Sequence, residues 1–305
     1  MGHFFSHLFE PGLLSNGPVR VAVLVGTVVA VTSGVVGVFT VTRGQSFAGH
    51  ALADVAATGG SGAFLVGLNQ FWGFLAFGIG AAAFLEVIGV QRRRGRDVAT
   101  GVVLGAALGV AALFLYLASA TTSTTGASFT VLFGSIFVID SSTVPALIVS
   151  GVIALLIVVL LSRVLLLSSL SPDIAAARGV PVRAVGAAYL IALAVSVSLS
   201  AVAIGAVLST ALLVGPAATA LRIAKGPLRA MAVSALIGVV ATWLGILLAY
   251  DSYYWPPHGH GWPVSFFIVA LVVVFYLLTY LRRPSRSRRA RAAEAHSGES
   301  ACSAA

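Results

Sequence analysis

Charge is scarce in this chain. Only 9% of its 305 residues are charged, where an ordinary soluble domain carries roughly 25%. A larger core cannot absorb that deficit, because a soluble core still needs a polar skin. With 59% hydrophobic residues and a mean hydropathy of +1.03, most of the surface must face lipid. Lysine is scarcer still, since Lys225 stands alone. No G-x-x-x-x-G-K-[ST] run occurs around it or elsewhere, which excludes P-loop nucleotide binding by this chain. Cysteine is limited to Cys302 in a polar tail, which excludes an intramolecular disulfide. No Lys or Arg precedes Arg20, and no small-residue cleavage site follows the first apolar run. That run therefore reads as a retained helix, not a signal peptide.

Hydrocarbon gives the backbone no hydrogen-bond partner, so spanning segments must be helices or strands of a closed barrel. The apolar runs are about 20 residues long and do not alternate with polar residues, which selects helices. The expected fold is all-α, a polytopic transmembrane bundle. Nine segments can be drawn: Val19–Thr42, His50–Leu68, Phe71–Val90, Val98–Ala118, Thr143–Leu166, Arg183–Ala203, Gly205–Ile223, Leu228–Tyr250 and Trp262–Leu281. Eight is the alternative count. The second segment carries His50, Asp54 and three glycines. The seventh contains Gly215 and Pro216, a pair expected to kink or unwind it beside a pathway. Residues 1–18 form an N-terminal segment, 19–282 the transmembrane domain, and 283–305 a basic tail read as disordered. The 33 glycines suit close helix packing.

The net charge of +9 could suggest nucleic acid, but its distribution excludes that reading. The basic residues cluster between apolar runs, at Arg92–Arg96, around Leu165–Val182 (Arg163, Arg178, Arg183), at Arg222–Arg229, and from Arg282 onward. The alternate connections, Ser119–Ser142 and Asp251–Gly261, hold no Lys or Arg. The first set is therefore cytoplasmic and the second external. Nine spans then place the N-terminus outside and the C-terminus inside. The tail also offers attraction to anionic membrane lipid.

Two stretches carry a family resemblance. Ser171-Pro-Asp-Ile-Ala-Ala-Ala-Arg-Gly-Val180 is similar to a cytoplasmic loop, and Gly205-Ala-Val-Leu-Ser-Thr-Ala-Leu-Leu-Val-Gly-Pro-Ala-Ala-Thr-Ala220 to the most distinctive run, of permease subunits from bacterial ATP-binding-cassette importers for zinc, manganese and iron. Gly49–Asp54 and Leu132–Ile136 resemble two further segments of that family. The resemblance implies a type II importer-like bundle that is a translocation subunit and not itself an enzyme. It also implies the partners: a second permease copy or close paralogue, separate cytoplasmic P-loop ATPase subunits, and an extracytoplasmic metal-binding protein. Asp173, Arg178, Gly179 and Val180 would then belong to the element that couples to the ATPase. Pro172 at a helix start and an acidic residue in the first turn fit a short helix there.

His50 and Asp54 form the sharpest pair. At i and i+4 they share one helix face. An ionisable residue at membrane depth costs roughly 2.5–3.5 kcal/mol and usually faces a cavity. Imidazole with carboxylate suits zinc, manganese or iron(II) as the transported ion. Related permeases carry an acidic residue and a His one turn apart in this segment; here His comes first. His258 and His260, in an external Gly-rich loop, are weaker candidates for metal capture, and His3 and His7 are weaker again. Glu86 is expected to snorkel toward the Arg92 cluster. Asp140 and Asp251 are expected to be external and solvated. The alternative classes are a secondary cation transporter or channel, which should carry charged pairs on several spans, and a permease for a metal chelate such as a siderophore.

Overall fold

The computed structural model describes residues 16–87, 96–122, 126–134, 136–254 and 261–281. The helices are α1 (Gly17–Thr42), α2 (Ser46–Leu65), α3 (Gln70–Val87), α4 (Arg96–Thr122), α5 (Ala127–Phe133), α6 (Val144–Leu170), α7 (Pro172–Ala177), α8 (Val182–Ile204), α9 (Ala206–Ile223), α10 (Pro227–Asp251) and α11 (Val264–Leu281). Single 3-10 turns follow α5 and α10. Among the described residues there is no strand, and nine helices reach 18 residues. Seven of those are long and apolar enough to cross a membrane. The other two are the polar, glycine-rich α2 and the shorter α3. The second segment is thus weak, as its composition implied. The seventh, α9, has the lowest mean hydropathy of those seven spans, 1.6; of the expected kink or unwinding at Pro216, the unwinding is absent, since the helix continues through it. Two further differences concern connections. α6 extends to Leu170, well into the expected loop, and α5 lies within what read as a plain external connection.

Contacts between helices fix their relative directions. Ser33 on α1 meets Ser200 on α8, and Thr40 meets Tyr189, so the two run antiparallel. Gly26 and Gly34 of α1 lie against Thr242 and Ser234 of α10, again antiparallel. α2 and α3 oppose each other through Ala56 with Gly78 and Gly60 with Phe74. α2 and α4 run parallel, since Thr58 bonds the Ala107 carbonyl and Gly62 faces Phe114. Arg43, Glu86 and Tyr189 therefore share one end of the bundle, the end that the arginine distribution places in the cytoplasm.

α1 and α8 are the central pair. Most of each span is buried, whereas α4, α6 and α11 leave most of theirs exposed. An exposed apolar face on such a helix is its lipid contact. Between helices in lipid there is no hydrophobic drive, so small residues and hydroxyls do the joining. Ser234 Oγ donates to the Gly34 carbonyl at 2.8 Å, and Ser198 Oγ to the Phe74 carbonyl at 3.0 Å. A Cβ on Gly37 would overlap the Leu213 carbonyl, and one on Gly59 the Gly73 carbonyl.

One such contact joins two of the segments singled out above. α8 passes to α9 through Gly205 alone, at φ +90°. α5 ends on Gly134, at φ +75°. A side chain on either would strike the other's backbone: Gly205 faces the Leu132 carbonyl, and Gly134 faces Ile204 and the Gly205 nitrogen. Gly205→Ala should therefore lose about 1–3 kcal/mol from its backbone conformation alone, with the overlap added. The expected result is a lower thermal transition of the detergent-solubilised protein. Gly105→Ala, with open space around it, should leave the transition unchanged or raised; equal effects of the two would refute the contact.

Candidate functional site

The Gly44 turn, which follows α1 without an intervening loop, starts α2 at Ser46. This places His50 one turn and Asp54 two turns in from the cytoplasmic end. α2 packs among α3, α4, α8 and α9, so nearly all of its circumference is covered. Asp54 is buried and His50 is not, with side-chain exposures of 5% and 44%. His50 Nε2 stands 3.6 Å from Asp54 Oδ2, too far for a hydrogen bond. That carboxylate oxygen has no hydrogen-bond partner. One turn further on, Thr58 Oγ1 donates to the Ala107 carbonyl of α4 at 2.8 Å. The polar face of α2 is thus turned toward α4.

The distance suits a shared ion. Metal bonds of about 2.1 Å to a nitrogen and an oxygen subtend 3.6 Å at an angle not far from tetrahedral. Among the described residues no group of three or more His, Cys, Asp or Glu side chains converges. The pair can therefore meet an ion but not cage it. An apolar cavity of about 400 Å³ lies beside the pair, lined by Ala51, Leu52 and Val55 of α2 and by Phe77 and Phe84 of α3. It offers no ligand, so the chemistry belongs to the adjoining face.

The cytoplasmic loop takes the conformation its sequence implied. Pro172 opens α7 and Asp173 sits in its first turn. Gly179, at φ +76°, ends it. The Gly179 N–H bonds the Ala176 carbonyl at 2.9 Å, and the Val180 N–H bonds the Ala175 carbonyl at 3.1 Å. This double closure is a Schellman motif. Ala175 is buried beneath the helix, while Asp173, Ile174 and Arg178 face outward. Ile174 and Arg178 share a face at i and i+4, presenting an apolar and a cationic group together at the tip.

Other expected residues divide. Gly215 is a packing position: a Cβ there would overlap Val272 of α11. Beside it Thr219 Oγ1 donates to the Gly215 carbonyl at 2.8 Å. Asp140 is exposed as expected. The hydroxyl and N–H of Ser142 donate to it and hold its carboxyl below the usual range. Asp251 is buried at the end of α10, against the expectation of a solvated group. Glu86 is half-buried, with its carboxylate over Gly186 of α8. His3, His7, His258, His260 and the Arg92 cluster lie outside the described residues. Sequence reasoning missed Thr40, Arg43 and Tyr189; the available signal was a tyrosine inside an apolar run.

Comparison with known proteins agrees with this architecture. The model of the ABC 3 transport family matches residues 17–282. The chain belongs to this family. Among curated members, it is 28% identical over 289 residues to the manganese import system permease protein ScaB of Streptococcus parasanguinis, covering 94% of this chain and 99% of that protein. It is 28% identical over 244 residues to the manganese transport system membrane protein MntC of Listeria innocua, covering 80% and 85%. Among solved structures, it matches PsaBC from Streptococcus pneumoniae, in complex with Fab, at TM-score 0.75 and 25% identity, covering 94% and 98%. As an ABC 3 member with these spans, the chain is a multi-pass bacterial membrane protein, a permease whose family transports metal.

Proposed function

We propose that this chain is the translocation subunit of an ATP-driven importer that passes a divalent transition-metal ion, manganese first among zinc, manganese and iron. The observation that carries the reading is the buried, unpartnered Asp54 oxygen 3.6 Å from the His50 imidazole. Leaving a carboxylate so placed without a donor costs folding energy, and a passing cation is the partner that offsets it. The preference for manganese rests on ScaB and MntC, both manganese transport proteins. ATP hydrolysis belongs to separate P-loop subunits, because this sequence has no P-loop. The α7–Val180 loop docks on them, and an external binding protein delivers the ion. In the pathway, His50 and Asp54 each give one ligand atom, and a site with so few protein ligands releases its ion readily.

The decisive experiment is metal uptake into vesicles with the matching ATPase, normalised to inserted protein. Asp54→Asn keeps the shape and removes the charge; His50→Gln keeps hydrogen bonding and removes the imidazole. Each should lower uptake at least about tenfold, the loss expected of a charged ligand group. The His50 change should harm zinc more than manganese, because imidazole suits the former better. Parental uptake by both variants would make the pair structural.

Gly179→Val tests the loop separately. With no atom within 4 Å of the Gly179 Cβ position, the substitution acts through φ alone, at a cost of about 1–2 kcal/mol. Less ATPase should co-purify with the variant while membrane insertion persists. Unchanged assembly and unchanged coupling would refute the docking assignment.

A further inference from the structure

A cluster of polar groups at the cytoplasmic ends of α1, α3 and α8 has no part in the reading above. α1 closes as α7 does. Gly44 lies at φ +64°, its N–H bonds the Val41 carbonyl at 3.1 Å, and the Gln45 N–H bonds the Thr40 carbonyl at 2.8 Å. α2 begins at the next residue, so Arg43 sits at the joint between α1 and α2. Its guanidinium is turned inward, with Cζ 5.1 Å from the centre of the Tyr189 ring and Nη1 buried without a hydrogen bond. Burial pulls the Arg43 pKa down, while Tyr189 and Glu86 act in the other direction.

Tyr189 is fully buried, and its hydroxyl bonds Thr40 Oγ1 at 2.8 Å. The Thr40 hydroxyl donates to the Val36 carbonyl at 3.0 Å, so its single proton is committed and the phenol must be the donor to Thr40. The ring thus bonds α1 through its edge and covers the α1–α2 joint with its face. Tyr189 also lies seven residues into α8, about 10 Å from the helix start. That start follows the α7 loop directly, through Gly179, Val180 and Pro181.

We infer that Thr40, Tyr189 and Arg43 form a latch that transmits movement of the cytoplasmic loop, along α8, to the α1–α2 joint and so to His50 and Asp54. The inference rests on the translocation reading above and assigns positioning roles, not ligand roles. α8 is a stiff rod over this distance, so Tyr189 follows the loop. Arg43 follows Tyr189 because a planar guanidinium keeps its attraction only while it stays over the ring. Two residues then separate Arg43 from α2, the helix that carries the pair.

The test is the number of manganese ions moved per ATP hydrolysed, in vesicles holding the permease with its ATPase and delivery protein. Tyr189→Phe removes only the hydroxyl. Arg43→Lys keeps the charge and removes the planar face. Both should assemble and hydrolyse ATP as the parent does, with the ratio of ions to ATP lowered about two- to tenfold, the range one net hydrogen bond or one cation–π contact supports. Adding Thr40→Val to Tyr189→Phe should lower it no further, since both break one bond. Should Tyr189→Phe fail to insert, Arg43→Lys decides alone, being at a half-exposed helix end. A parental ratio in Arg43→Lys, where the parent transports and Asp54→Asn does not, overturns the latch and leaves the translocation reading standing. A parent that moves no metal overturns both.

Discussion

Everything in this bundle depends on one constraint: a polar atom in hydrocarbon must find its partner within the protein. Most hydroxyls inside the spans meet it locally, as Thr27 and Ser150 do by bonding a carbonyl one turn back. Others bond across helices, and these bonds hold the bundle together: Ser198 to α3, Ser234 to α1, Thr58 to α4. Among the described residues, five buried side-chain atoms lack a hydrogen bond, and three belong to ionisable groups: Arg43, Asp54 and Arg222. The two arginines lie at helix ends over tyrosine rings, Arg43 over Tyr189 and Arg222 over Tyr276 and Tyr280, where a π face replaces a lone pair. Asp54 has no ring above it; its neighbour is the His50 imidazole, 3.6 Å away.

The same constraint explains the glycines. Without a hydrophobic drive between helices, attraction grows only by closer approach. Gly34, Gly37, Gly59, Gly73 and Gly215 all sit where a methyl group would collide with a neighbouring helix. Five helices can then surround α1, and its polar groups come within bonding reach of α8. At Gly34 close packing and polar satisfaction coincide, since its carbonyl accepts from Ser234 Oγ of the helix it packs against.

Much of this was legible in the sequence, because each legible feature is set within one segment. Length and apolarity gave the spans. Pro172 and Gly179 gave the α7 loop, since helix starts and left-handed closures are local. What stayed hidden depends on partners distant in the chain. The contact of Gly134 with Gly205 joins residues with no sequence relation. Gly215 read as half of a kink; its close packing against Val272 on another helix had no signal in the local pattern. Asp251 read as solvated because it ends a span, and its burial depends on how α10 and the following turn pack. The pair His50–Asp54 was visible through spacing; the missing hydrogen bond to Asp54 was not.

The α1–α8 interface is built differently along its length, and the difference bears on how it can move. At mid-span Ser33 Oγ lies 2.7 Å from Ser200 Oγ and 3.3 Å from Ser196 Oγ. Those two serines are one turn apart on α8, so Ser33 can trade one for the other as the helix slides, and hydroxyls rotate to follow. A sliding contact of this kind resists separation but not displacement along the axis. At the cytoplasmic end the phenol of Tyr189 has a fixed direction, and the ring must stay beneath Arg43 to keep its attraction. Displacement there carries α1's end with it. That end is the joint from which α2 rises with His50 and Asp54.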